Sequence, residues 1–409
     1  MDGNETRRQF LRVSGAAGLV GVAGCLDAFG AVDDSYEVWA FDQGTHTGYV
    51  YEVHDAAAAE FELLDTLDTE AAGGLVPHMV DFSSDYAYAA IACTAGQRVL
   101  IYRTEDRELV GNVETGSGSH FAGFSPDDEY LHVDVIGEEK IVRIEADLDT
   151  ETFAIADEIN VRTDDTILDA GIESGAPVCH QYDHQGRSIH TLGPGYHDGA
   201  VVIVDHDDFS VEKAFSHDEL PANCGTVPHP EADKFYLTAG LPSDPEAGEE
   251  GVGRYYVLDT TTDEVVHSES TRGVDAHGFW FPPGRDELWV LNRETNNGVV
   301  VDPDTDEVID EIENYGLQVS ENPGERDSPD IMWSSPDGEY MFGTLRGPNP
   351  VSGDPHAATG VTPGFFVMDV GARETIDVVE PAPGDADSDF HGIGVRPTGE
   401  TDGNTSPPY

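Results

Sequence analysis

The chain is short of positive charge. Its 409 residues carry 20 Lys and Arg against 81 Asp and Glu, a formal net charge of −61. Only three of the bases are lysines: Lys140, Lys213 and Lys234. No basic stripe exists to neutralise phosphates, which argues against nucleic acid as a partner. Cysteine is also scarce, with four residues and no CxxC pair. No GxSxG motif marks a nucleophilic serine. Beyond the N-terminus no run is long and apolar enough to span a bilayer, which takes about 20 residues. No helix-period segment of useful length occurs either.

The acids are spread over the whole length rather than gathered in a tail, so they read as a hydrated coat and not as a disordered arm. Such a coat stays soluble in high salt, where a Debye length of about 3 Å at 1 M screens self-repulsion. The composition resembles that of halophilic archaeal proteins.

The first 25 residues read as an export signal. "TRRQFLR" (Thr6 to Arg12) holds a twin arginine, followed by the small, apolar "VSGAAGLVGVAG" and Cys25. "VAGC" resembles a lipobox, which implies cleavage and lipidation at Cys25. The expected product leaves by the twin-arginine route and sits at the cell surface on a lipid anchor. Residues 26–35 are expected to be a linker and 400–409 a disordered tail. Three cysteines remain, Cys93, Cys179 and Cys224, an odd number that leaves at least one unpaired. Whether Cys179 and Cys224 pair stays open.

The chain repeats itself. His78, His120, His180, His229, His277 and His391 each stand just before a short strand-like run, as in "DAHGFWFPPGRDELWVLNR". Asp330 takes the place in "SPDIMWSSPDGEYMFGT". Each marker leads into one strand, a polar turn such as "SPDD", and then further strands such as "EYLHVDV", "IVRIEA" and "VIDEI". Four short antiparallel strands at intervals of 42 to 61 residues read as propeller blades. His391 has one strand after it, and the missing three stand at the other end: "YEVWAFD", "GYVYEV" and "EFELLDTL". The expected fold is therefore all-β, a seven-bladed β-propeller over residues 36–399, its last blade closed by both termini.

"FSPDDEYLHV", "SSPDGEYMFGT", "YYVLDTTTDEVV" and "VVVDPDTDEVIDEI" resemble the YVTN-type β-propeller repeat family. The resemblance covers essentially all of the mature chain. It implies the fold and says little about function, because propellers host many activities.

The residue before a blade's first strand stands at the mouth of the central channel. The frame above therefore predicts a ring of His78, His120, His180, His229, His277, Asp330 and His391. Imidazole and carboxylate are ligands for zinc, copper and nickel. His46, His197 and His356, in loops expected on the same face, are further candidates to complete a site. The expected cofactor is a transition metal, zinc first and copper second, with three or four of these residues ligating one ion.

The ring and the export signal resemble the periplasmic zinc-chaperone propellers (AztD type). That resemblance implies metal capture and delivery to an importer's binding protein. The histidine-rich loop of such proteins is absent, and "LPSDPEAGEEGVG" stands as an acidic insert instead. The ring also resembles the propeller of nitrous oxide reductase, but the second copper domain with its paired cysteines is missing. Two other functions compete: a metal-free surface interaction module, with histidines inherited from one ancestral repeat, and a lactonase-like or hydrolytic enzyme. His132 and His190 are read as satisfied sheet residues, and His54, His206, His217 and His267 as solvated. Trp39, Trp280, Trp289 and Trp333 are read as packing between blades, and Asp205 to Asp208 as a solvated acidic turn.

Overall fold

A computed structural model describes residues 35–399. Residues 1–34 and 400–409 lie outside the described part. The export signal, Cys25, most of the linker and the expected tail therefore fall outside it.

The chain forms seven four-stranded antiparallel sheets. The first complete one runs β4 (Pro77–Phe82), β5 (Tyr88–Cys93), β6 (Arg98–Arg103) and β7 (Leu109–Glu114). The next begins at β8 (Ser119–Phe124) and β9 (Tyr130–Val135), and another at β12 (Ala176–Tyr182) and β13 (Ser188–Gly193). The remaining inner strands are β16 (Thr226–Pro228), β20 (Ala276–Trp280), β24 (Pro329–Ser334) and β28 (Phe390–Pro397). These seven inner strands contact one another in a closed cycle, β28 returning to β4. β28 also pairs with β1 (Tyr36–Asp42), so one sheet joins both ends of the propeller. Deleting residues 390–399 would leave the inner edge of β1 unpaired and take away the strand packed against β4 and β24. The expected result is loss of a single cooperative unfolding transition, read by circular dichroism.

Burial follows the order within each blade. β1 is buried at every position, whereas the outermost strand of its sheet, β3 (Glu60–Asp68), exposes most of its residues. Part of the acidic coat stands on such strands, as Glu60, Glu62, Asp65 and Asp68 do on β3. Apolar strands stack between blades: Trp280 lies 4.4 Å from Trp333, and Trp39 meets Phe82 edge-on at 5.9 Å. The predicted packing role of these tryptophans matches those contacts.

The repeated "SPD" turns share one chemistry. In "SPDDEY" Ser125 Oγ donates to Asp127 and accepts from the Tyr130 amide, while Asp128 takes a left-handed φ of 59°. Ser83 and Ser335 make the same bonds to Asp85 and Tyr88, and to Asp337 and Tyr340. This turn is the fixed point from which each inner strand is measured.

Candidate metal centre

Five residues before each such turn the inner strand breaks register. The break follows Pro77, Ser119, Ala276 and Pro329, and the residue it skips is His78, His120, His277 or Asp330. On β28 the irregularity opposite Ala40 and Asp42 falls at His391 and Gly392. A bulge re-aims the side chain it displaces. Here it turns one residue per blade away from the sheet ladder.

Two predicted members are out of frame. Counting five back from Asp183, the turn residue of the third marker, gives Val178 and not His180. Counting five back from the following turn gives Cys224, because His229 is itself the turn residue. His229 Nδ1 accepts the amides of Glu231 and Ala232, the task that serine or aspartate performs elsewhere. Hydrogen bonds confirm the frame. Thr191, Thr238 and Thr344 donate to the carbonyls of Cys224, His277 and His391 in turn. A glycine follows three ring positions, because a Cβ on Gly225, Gly278 or Gly392 would fall 2.3–2.7 Å from the next ring residue's carbonyl oxygen. The ring is thus His78, His120, Val178, Cys224, His277, Asp330 and His391. Aligning on histidine instead of on the turn is what missed Cys224.

The three loop histidines take other partners. His46 Nδ1 accepts from the Val76 amide, His197 contacts Glu249 at 2.6 Å, and His356 contacts Glu294 at 3.2 Å. None of them has a hydrogen bond to a ring side chain among the described residues.

Five ring histidine and aspartate side chains form one buried or half-buried group. His78 Nε2 lies 2.8 Å from His120 Nε2. The His78 and His391 rings stack with centroids 3.6 Å apart. His391 Nε2 is 3.6 Å from Asp330, and His277 Nε2 is 2.9 Å from the same carboxylate. Ligand atoms of His277, Asp330 and His391 all fall within 4.8 Å of one another.

The tautomers follow from the acceptors. His120 Nδ1 faces the Val178 carbonyl at 2.8 Å, and His391 Nδ1 faces the His78 carbonyl at 3.0 Å. A carbonyl only accepts, so both Nδ1 atoms carry the proton. His78 Nδ1 meets Gln43 Oε1 at 2.9 Å, and Gln43 Nε2 is turned to the Asp389 carboxylate. His78 is therefore protonated at Nδ1 as well. All three Nε2 atoms carry bare lone pairs, and two of these face each other at 2.8 Å. Burial first, and neighbouring imidazoles next, hold His78 far below its ordinary range. Burial outweighs Asp134 and holds His120 at about 4. Burial also holds His391 well below the usual range, against the pull of Asp330. At neutral pH these imidazoles are in the form that binds metal.

Asp330 is fully buried and already matched. Arg346 Nη1 donates to it at 2.6 Å, and Arg293 stands 3.5 Å away. On its other side His277 Nδ1 lies 2.9 Å from Cys224 Sγ. Burial and Arg293 push His277 down, but Cys224 and Asp330 together prevail and raise it to about 9.

His180 enters a second group. Its Nδ1 donates to Asp134 at 2.6 Å, and its cross-strand partner His190 donates to the same carboxylate at 2.7 Å. All three are fully buried, and Ser188 links His190 to His132. His190 is a satisfied sheet residue, as expected. His132 Nε2 and His180 Nε2 have no partner among the described residues. Asp134→Ala would leave two imidazole N–H groups without their acceptor. It is expected to cost about 3 kcal/mol, read by urea unfolding at fixed high salt.

No family model matches the chain, and no curated protein matches it. Solved structures do. The chain is similar to dihydro-heme d1 dehydrogenase NirN, solved in complex with DHE, at 12% identity and a TM-score of 0.54, over 89% of this chain and 76% of that one. It is similar to the Dos1 propeller at 13% identity and a TM-score of 0.53, over 78% and 71%. For Kuenenia stuttgartiensis hydrazine synthase the values are 11% and 0.51, over 75% and 96%. At such identities the likeness speaks for architecture alone: the chain is a seven-bladed β-propeller.

Proposed function

We propose that the protein binds a transition-metal ion at the channel mouth and serves in metal capture or delivery, exported and held at the cell surface by lipid on Cys25. One observation carries the metal reading. His78 Nε2 and His120 Nε2, both bare, face each other at 2.8 Å. Two lone pairs at that distance repel unless a cation lies between or beside them. Tetrahedral ligands on one ion at about 2.0–2.1 Å stand about 3.3 Å apart, so the pair would open by about half an ångström to hold one. The acceptors on each Nδ1 orient the rings as the outer hydrogen bonds of metal-bound histidines do. His391, whose ring stacks on His78, and Cys224, which lines the same cavity as His120, are the further donors this reading names, and Asp330 orients His277. The partner in delivery would be an importer's binding protein.

Elemental analysis of the mature domain, purified in high salt without chelator, tests this. About one equivalent of metal is expected in the wild type and none in the variant His78→Ala, His120→Ala, His391→Ala. Equal metal in both would sink the assignment.

A second reading has its own observation. Cys224, His277 and Asp330 are aligned at 2.9 Å and 2.9 Å, as nucleophile, base and orienting carboxylate. This would make the channel mouth a thiol hydrolase site. Alkylation of Cys224 by iodoacetamide at pH 7, faster than that of a free thiol in metal-free protein and lost in His277→Ala, would favour it.

A further inference from the structure

We propose that the ion is cuprous copper, and that the channel below the ring is lined to receive it through sulfur. The inference rests on the metal reading above and names the ion that site would take. It begins with where the sulfur is. The whole chain has five methionines and four cysteines. Seven of these nine lie in the described part, and four of the seven line one small cavity of about 80 Å³: Met79, Cys179, Cys224 and Met332. His120 and His391 line the same cavity. The other three, Cys93, Met341 and Met368, are fully buried among apolar side chains. Met79 and Ile331 occupy matching places just past the bulge, so thioether is not a requirement of that position.

Cys179 lies on β12, and Cys224 stands just before the neighbouring inner strand β16. The Thr191 hydroxyl contacts the carbonyls of both Cys179, at 3.3 Å, and Cys224, at 2.8 Å. Burial first, and Cys224 next, push the Cys179 thiol far up. It therefore stays protonated until an ion displaces the proton. Each thiol that ligates Cu(I) releases one proton to solvent, and no electron moves.

The hard donor of the ring is not free. The Asp330 oxygens are held by Arg346 at 2.6 Å and His277 at 2.9 Å. What remains for an ion is imidazole nitrogen, thiol and thioether. Thiolate and thioether donors select Cu(I), and imidazole suits copper as well as zinc. Thioether is the discriminating donor, because zinc takes thiolate, imidazole and carboxylate.

The test uses metal-free protein under anaerobic conditions in high salt. Cu(I) is delivered from its bathocuproine disulfonate complex, and Zn(II) is measured separately against a chromophoric chelator. Met79→Leu with Met332→Leu conserves volume and keeps the cavity wall apolar. This double variant is expected to bind Cu(I) at least about tenfold more weakly, with Zn(II) affinity within about twofold of wild type. Cys179→Ser is expected to weaken Cu(I) as well. X-ray absorption of Cu(I)-loaded wild type, which needs no variant, should show sulfur in the first shell. Wild type that binds zinc or copper with only nitrogen and oxygen neighbours, and unchanged Cu(I) affinity in both variants, overturns the copper inference but leaves the metal site standing. Wild type that binds neither ion overturns both.

Discussion

Lowering KCl from 2 M to 0.1 M is expected to reduce the melting temperature by at least about 10 °C. The physical source is the coat of 81 acids against 20 bases. Several of those bases are already committed. Arg103 alone contacts Asp106, Glu108 and Glu151, and Arg373 holds Glu287 and Asp310. Exposed acids face one another on the surface, as Glu60, Glu62, Asp65 and Asp68 do along β3. At 0.1 M the Debye length of about 10 Å lets neighbouring strands repel, and at 2 M it does not. Compact structure loses more from that repulsion than the unfolded chain does. A scanning calorimetry series in KCl, with sucrose as a control for exclusion effects, reads it. A melting temperature independent of salt would contradict the reading of the coat.

Acid is expected to destabilise the metal-free protein between about pH 6.5 and pH 4, a loss that begins before the carboxylates titrate in bulk near pH 4. Unfolded histidines take up a proton near 6.5. In the fold, burial outweighs the pull of Asp134 and holds His190 at about 4, and His120 is held near the same value. Over that window the unfolded state binds more protons, so stability falls as pH falls. For the fully buried His190 alone the loss is on the order of 3 kcal/mol by pH 4. His78, His132 and His391 are depressed chiefly by burial and act in the same direction. His277 acts oppositely. It is raised to about 9, so its contribution is full below pH 6.5 and is lost as pH rises through 9. Stability should therefore peak near about pH 6.5–7. Bound metal, by holding ring histidines unprotonated, should move the acid limb to lower pH. Melting curves at fixed 2 M KCl, with and without chelator, check both statements.

The fold was legible because its signals are local. Each blade writes its own turn, and "SPDD" and "SPDG" specify the serine–aspartate bonds that close it. The closure by β1 and β28 followed from counting strands at the two ends. The ring was legible in five of its seven places. Val178 and Cys224 were not found because histidines happened to stand nearby, His180 two residues on and His229 five residues on. Both have work elsewhere: His180 on Asp134, and His229 in a turn. A fixed spacing of five residues back from the turn would have placed them, since the geometry of a strand counts residues and not residue types. The Asp134 group was harder. Asp134 lies on β9 and its two histidines on β12 and β13, and nothing in the local sequence couples one blade to the next. The loop histidines failed as ring members for a related reason. A loop's position on a face does not fix where its side chains turn: the backbone at Val76 met His46, and acids met His197 and His356.

The measurement that bears most directly on the central claim is anomalous diffraction. Crystals of the protein, grown in high salt without chelator, would be measured on both sides of the zinc and copper absorption edges. The account predicts one anomalous peak at the channel mouth, within bonding distance of His78 Nε2 and His120 Nε2 and at least one further ring donor. No anomalous signal beside those two nitrogens, only ordered water or none, in crystals soaked with either metal, would contradict it.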